Sequence, residues 1–140
     1  MKIYYATSIR GALDENSGRI SKFIIETLRK YGNVLTEHFA NLDKTAEGET
    51  ELTDRQIHDR DIDWITQSDL IVAEVTNPSL GVGYEIARGL EMGKKVICLK
   101  ANNGKRLSAM IAGCGNIDLI IYNNESEIED SLDIVLSRPK

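Results

Sequence analysis

Five short apolar runs, at residues 3–6, 34–35, 70–75, 96–99 and 119–122, set the tightest limit on what this chain folds into. A strand with one wet face alternates apolar and polar residues. A run that stays apolar is covered on both faces, as in a parallel sheet between two layers of helices. The intervening stretches carry helical spacing. Ile20, Phe23, Ile24, Leu28 and Tyr31 form one stripe, with Gly32 where a left-handed helix cap is expected. Ile57, Trp64 and Ile65 mark a second helix, Val82, Ile86 and Leu90 a third, and Ile128, Leu132 and Val135 a last one ending before Pro139. The pattern predicts a three-layer α/β fold with a five-stranded parallel sheet, flavodoxin- or Rossmann-like, in the order 2-1-3-4-5. With 140 residues, 41% of them hydrophobic, the chain suits a single domain over residues 1–140.

Charge and cysteine usage narrow the function classes. A net charge of −5 argues against a broad basic face for polymeric nucleic acid or membrane, while leaving room for a local anion site. The two cysteines, Cys98 and Cys114, form no CxxC or Cys/His cluster and read as reduced thiols. The first residues make too short an apolar run for a signal peptide, and no stretch approaches the roughly 20 apolar residues that span a bilayer. The expectation is a soluble cytoplasmic protein, or a nuclear one in a eukaryote. Two stretches, residues 9–18 and 39–53, are polar and read as long loops. In doubly wound folds ligands bind beyond the carboxyl ends of the strands, which points to residues 7–11 and 74–85.

Both segments hold residues suited to an anion. Thr7-Ser8-Ile9-Arg10-Gly11 leaves the first strand with hydroxyls, a guanidinium and a glycine together, a combination that grips phosphate without a metal. An ordinary turn with an exposed Arg fits the same pentapeptide. Asn77-Pro78-Ser79-Leu80-Gly81-Val82-Gly83 leads from the third strand into a helix whose free N–H groups attract anions, and Ser79 suits either a helix cap or a phosphate ligand. Glu85 sits beside the Val82-Ile86-Leu90 stripe, near enough to the helix N-terminus for its ionised form to be favoured; a solvated surface Glu is the plainer alternative, and its place after the Ser-Gly-Gly loop is what sets it apart. Asp61 falls in the middle of its helix's apolar arc. Desolvation there would raise its pKa and let it hold a proton for delivery to a leaving group; the plainer alternative is a buried Asp capping backbone or pairing with Arg. His58 and His38 are candidates for the pocket edge, and Trp64 reads as core.

Together these segments resemble the 2'-deoxynucleoside 5'-phosphate N-hydrolases, relatives of the nucleoside 2-deoxyribosyltransferases. The blocks that carry the likeness are residues 4–11, 34–38, 57–64, 73–85 and 107–111, in the family's order; Pro78-Ser79-Leu80-Gly81-Val82-Gly83-Tyr84-Glu85 is the most specific. The resemblance implies Glu85 as nucleophile and Asp61 as the acid near the base, with Tyr4 against the sugar, helping to orient Glu85. It puts Ser8, Arg10 and Ser79 on phosphate-binding positions, Ile9, Gly11, Gly81 and Met110 on further substrate-binding positions, and His38 at the pocket edge. Ser108 would reach the phosphate from the partner subunit of a homodimer. Thr7 stands where the family usually has Gly, and residues 40–53 differ in sequence; both departures bear on base preference.

The implied reaction is hydrolysis of a 2'-deoxynucleoside 5'-monophosphate to free base and 2-deoxyribose 5-phosphate through a covalent Glu85 ester, with no metal or organic cofactor. Three alternatives stay open. A ribonucleoside monophosphate such as CMP is one substrate, because sequence does not set the room around a 2'-hydroxyl. A base-exchanging deoxyribosyltransferase uses the same nucleophile, though Arg10 and its serines favour phosphorylated substrates. A non-catalytic nucleotide-binding module would keep the phosphate residues and need neither Glu85 nor Asp61.

Overall fold

The computed structural model describes residues 1–9, 15–36 and 51–138. Its elements run β1 (Lys2–Thr7), α1 (Glu15–Leu28), β2 (Asn33–Val34), α2 (Asp54–Gln67), β3 (Leu70–Glu74), α3 (Leu80–Glu91), β4 (Lys95–Ala101), α4 (Ala109–Ala112), β5 (Ile117–Tyr122) and α5 (Glu125–Leu136). All five strands are parallel, in the expected order β2-β1-β3-β4-β5, but the apolar run of β5 is not covered on both faces, since Leu119 and Ile121 stay exposed. No described helix is long and apolar enough to cross a membrane.

Strand geometry divides the core in two, because successive side chains point to opposite faces. On one face Ile3, Tyr5, Val72, Ile97 and Leu99 pack with Ile24 and Leu28 of α1 and with Ile128 and Leu132 of α5. On the other, Tyr4, Ala6, Ile71, Ala73, Val96 and Cys98 pack with Ile65 of α2 and with Val82 and Ile86 of α3. Tyr4 and Tyr5 are both fully buried, yet they belong to different layers. Burial of these side chains at about 1.5–3 kcal/mol each is the main force holding the layers together.

Two local expectations are corrected. The polar stretch at residues 9–18 is not loop throughout, since α1 begins at Glu15; its first turn is polar, with Glu15 and Asn16 exposed and Ser17 and Gly18 half-buried, so it carries no apolar stripe to announce it. Gly32 is not a left-handed cap, because among the described residues only Gly93 and Gly104 have positive φ, at 74° and 75°. Glycine is needed at 32 for space: a Cβ there would lie 2.2 Å from the Met1 carbonyl oxygen. A signal that the sequence held and the pattern reading passed over starts α2. Thr53 accepts from the Gln56 N–H while the Gln56 side chain accepts from the Thr53 N–H at 2.9 Å, a reciprocal capping box.

Gly89 sets how closely α3 approaches the sheet. A Cβ at this position would lie 2.0 Å from Ile71 Cδ1, inside the core between α3 and β3. The helix carrying Glu85 therefore rests directly on β3, one strand away from Tyr4.

Candidate active site

Tyr4 from β1, Asp61 from α2 and Glu85 from α3 converge on the same face of the sheet. Their electrostatic influence on one another defines the grouping. Burial pushes the Glu85 carboxyl up to about 8; the neighbouring Asp61 charge adds to the rise, and the Tyr4 hydroxyl opposes it. Burial, then the charges of Glu85 and Asp61, push the Tyr4 hydroxyl far above the ordinary tyrosine range. Among the described residues, Tyr4 Oη is the buried side-chain polar atom that meets no partner at good hydrogen-bonding geometry. It nevertheless lies close enough to Glu85 for each to shift the other. The direction at Glu85 is opposite to the one expected from the α3 N-terminus. A helix end contributes a modest favourable interaction with an anion, and here desolvation and a second carboxylate outweigh it.

Asp61 is buried, as its place in the apolar arc implies. It pairs with Arg60, whose Nε and Nη2 lie 3.0 and 2.9 Å from Asp61 Oδ1. The same guanidinium stacks over Trp64 at 4.8 Å from the ring centre, so Trp64 serves as a platform as well as core. His58 faces outward. Its Nε2 lies 2.9 Å from the Tyr84 hydroxyl, which also accepts a 2.6 Å hydrogen bond from Arg88, and this bridge ties α2 to α3 at the surface.

The anion-binding candidates leave the ends of β1 and β3, which are neighbours in the sheet. Ser8 is buried and Ile9 half-buried just past β1. Ser79 caps α3, its Oγ accepting from the Val82 N–H at 3.3 Å, and Gly81 lies exposed in the first turn. Ser108 caps the single turn of α4, accepting from the Met110 N–H at 3.3 Å. Arg10, Gly11 and His38 lie outside the described residues. A cleft of about 740 Å³ runs between α3 and the β4–α4 connection, lined by Ser79, Val82, Lys100, Arg106, Ser108 and Met110 among others. Tyr4, Asp61 and Glu85 are not part of its lining.

Three polar groups near these elements were not singled out from sequence. Arg60 is adjacent to Asp61. Lys100 is buried at the end of β4, donating at 2.9 Å to both the Ala101 carbonyl and Asn103 Oδ1. Glu74 is a buried carboxylate at the end of β3. The signal for the last two was available, because each is a charge inside or directly after an apolar run.

Sheet order and site together define a flavodoxin-like α/β domain with paired carboxylates and a serine-capped helix at the switch point, where such folds hold small ligands. The chain belongs to the nucleoside 2-deoxyribosyltransferase family, whose model matches residues 3–130. It is 46% identical to a 5-hydroxymethyl-dUMP N-hydrolase of Tetraodon nigroviridis, with all of both chains covered. It is 48% identical to a protein of Nematostella vectensis described as a 2'-deoxynucleoside 5'-phosphate N-hydrolase, covering 97% of this chain and 92% of that one. Among solved structures, the CMP N-glycosidase of Clostridium botulinum aligns with a TM-score of 0.72 and 25% identity over 96% of this chain and 99% of that one.

Proposed function

We propose that this chain is a hydrolase of the N-glycosidic bond of 2'-deoxynucleoside 5'-monophosphates. The observation that carries the reading is the convergence of Tyr4, Asp61 and Glu85 beside two serine-bearing strand ends. The N-hydrolases of similar sequence support the same chemistry. In the proposed cycle, Ser8, Arg10 and Ser79 hold the 5'-phosphate, and Ile9, Gly11, Gly81 and Met110 shape the surrounding pocket, with His38 at its edge. A Glu85 oxygen attacks C1' as the C1'–N bond breaks; that electron pair goes to the base, which takes a proton from Asp61. Tyr4 keeps the Glu85 carboxylate aimed at C1'. Water, losing a proton to Asp61, then attacks C1' and releases Glu85, giving 2-deoxyribose 5-phosphate with overall retention.

Incubating the protein with paired deoxyribo- and ribonucleoside 5'-monophosphates, with nucleoside and second-base controls, and following free base tests this reading. Release from deoxyribonucleotides without base exchange is expected. The likeness to a CMP N-glycosidase favours one second reading, in which ribonucleotides are the substrates, and the same panel separates the two. Binding without release of base from any substrate would overturn both.

The carboxylate pair makes its own pH prediction. Glu85 loses its proton near 8 with Asp61 beside it, so below that value the pair holds one proton between the two groups. The reactive arrangement has that proton on Asp61 and the charge on Glu85, and it is a tautomer of the state that holds it on Glu85. Above about 8 no acid remains for the departing base, so kcat/KM should fall through this range. A rise to a plateau above 8 would show that Glu85 ionisation alone limits the reaction and would remove proton donation by this pair.

Asp61→Asn should cost roughly 100-fold or more on bases that leave poorly and far less on a nucleotide whose base departs without protonation. Equal losses on both would make Asp61 a binding or structural partner of Arg60.

The cleft extends the proposal to a homodimer in which Ser108 completes the partner subunit's phosphate site. Leu80 and Met110, at 97% and 83% exposure, are among the cleft's lining, and Leu119 and Ile121 of the edge strand β5 stay exposed on the same face of the sheet. Large apolar side chains grouped this way favour burial against another protein surface.

A further inference from the structure

Glu74 lies on the far face of the sheet from Tyr4 and Glu85. Along β3, Leu70 and Val72 pack on the α1 and α5 side and Ile71 and Ala73 on the α2 and α3 side, so Glu74 points to the α1 and α5 side. It touches no reacting atom there. A carboxylate buried in this position requires hydrogen bonds, and it has two. Glu74 Oε1 accepts from the Thr76 N–H at 2.6 Å, and Oε2 accepts from the Tyr122 hydroxyl. Thr76 Oγ1 in turn accepts from the Ala101 N–H at 2.9 Å, while the Asn102 N–H donates to the Tyr122 carbonyl at 2.8 Å.

These bonds form a closed set linking three strand ends. Thr76 begins the connection that reaches Ser79, and Ala101 begins the one that reaches Ser108. Lys100 and Asn103 fasten the second connection further, since Asn103 Oδ1 accepts from both the Lys100 ammonium and the Lys105 N–H, at 2.9 and 3.0 Å. We propose that Glu74 is a positioning residue that ties the Ser79 and Ser108 connections together, holding Ser79 for the phosphate of its own site and Ser108 for the phosphate of the partner subunit's site. The inference rests on the phosphate role given above to those serines. It deepens that role by locating what orders them: a carboxylate on the opposite side of the sheet.

The test compares Glu74→Ala, Glu74→Gln, Tyr122→Phe and Thr76→Val by amide hydrogen exchange and by kinetics on a deoxynucleoside monophosphate and its unphosphorylated nucleoside. Glu74→Ala should speed exchange in both connections, residues 75–79 and 101–108. It should raise KM for the monophosphate roughly tenfold, the scale of one lost buried hydrogen bond, with kcat at saturation and kcat/KM for the nucleoside within about threefold of the parent. Glu74→Gln should restore most of this, because its amide oxygen still accepts from Thr76 and its NH2 donates to Tyr122 Oη. Thr76→Val and Tyr122→Phe each cut one link without emptying the site, and should give the same pattern at smaller size if Glu74→Ala does not fold.

Proportional losses on phosphorylated and unphosphorylated substrates, or exchange unchanged in the 101–108 segment, would overturn the proposal. If the unsubstituted protein releases no base from any monophosphate while exchange still links the two segments, the hydrolase reading fails and the phosphate role of Glu74 falls with it. If hydrolysis is present and Ser79→Ala leaves KM unchanged, the phosphate assignment is at fault, and a positioning role for Glu74 toward that phosphate is excluded.

Discussion

Glu85→Gln is expected to lower turnover roughly 1,000-fold or more while a nucleoside monophosphate still binds, because in the proposed cycle the carboxylate forms the bond to C1' and the phosphate anchor lies elsewhere. Near-parental turnover in the folded variant would remove Glu85 from the mechanism. The same substitution has a second readout independent of substrate. In the folded protein Glu85 keeps its proton up to about 8, against 4.5 for the free side chain. Between those values the folded state binds a proton that the unfolded chain has released, so stability falls as pH rises through the interval and levels off above it. Gln carries no such penalty. The variant should gain Tm over the parent as pH rises from 4.5 to 8, by a free energy on the order of a few kcal/mol at most, with little difference at pH 4. A pH-independent difference would mean that Glu85 is solvated like an ordinary surface carboxylate.

Restoration of activity by mixing two inactive variants is the second large effect expected. If Ser108 serves the partner subunit's site, Glu85→Ala chains and Ser108→Tyr chains are each inactive alone. A hybrid dimer then holds one site that joins the intact Glu85 of one chain to the intact Ser108 of the other. With free exchange about half of the dimers are hybrids with one good site each, so recovery should approach roughly a quarter of the parental rate. The rival role for Ser108 is the one its Oγ already performs, capping α4 through the Met110 N–H. A cap that acts only within its own subunit predicts no recovery, and so does a monomer that is fully active at nanomolar concentration.

The parallel sheet and its two helix layers are legible because apolar runs and helical stripes report burial, though not at β5, where Leu119 and Ile121 stay exposed; the strand order follows from the doubly wound arrangement expected of such folds. Asp61 was legible for the same reason, as a charge on an apolar arc, and the structure does bury it. Its pairing with Arg60 was foreseen only as the plainer alternative, since neighbours in sequence on a helix do not announce whether their side chains fold back together. The Glu85 carboxyl is shifted up, against the direction its helix position alone implies. Helix position can be read from spacing, whereas desolvation depends on β1 and α2 closing over the carboxylate from distant parts of the chain. Gly32 failed for a related reason: its contact is with Met1, and no local pattern carries a long-range steric requirement. Glu74 is masked in sequence by the apolar residues on either side of it, and while the Thr76 N–H is a local partner, Tyr122 reaches it only once β3 and β5 lie in one sheet with β4 between them.

The placement of β1 between β2 and β3 bears on how the protein is made. Ile3 pairs with Leu70 and Thr7 with Glu74, so β1 reaches its larger neighbour only after a segment of some 67 residues has followed it. Among the described residues that precede β3, the strand partner of β1 is the two-residue β2. Parallel pairings across crossovers bring in loop closure before they return contact energy, which puts chains of this topology among the slower small folders. Tyr4 and Glu85 meet through that same long-range closure. A chain that has not yet closed β1 onto β3 therefore does not bring Tyr4 to Glu85, and the proposed site assembles only with that pairing.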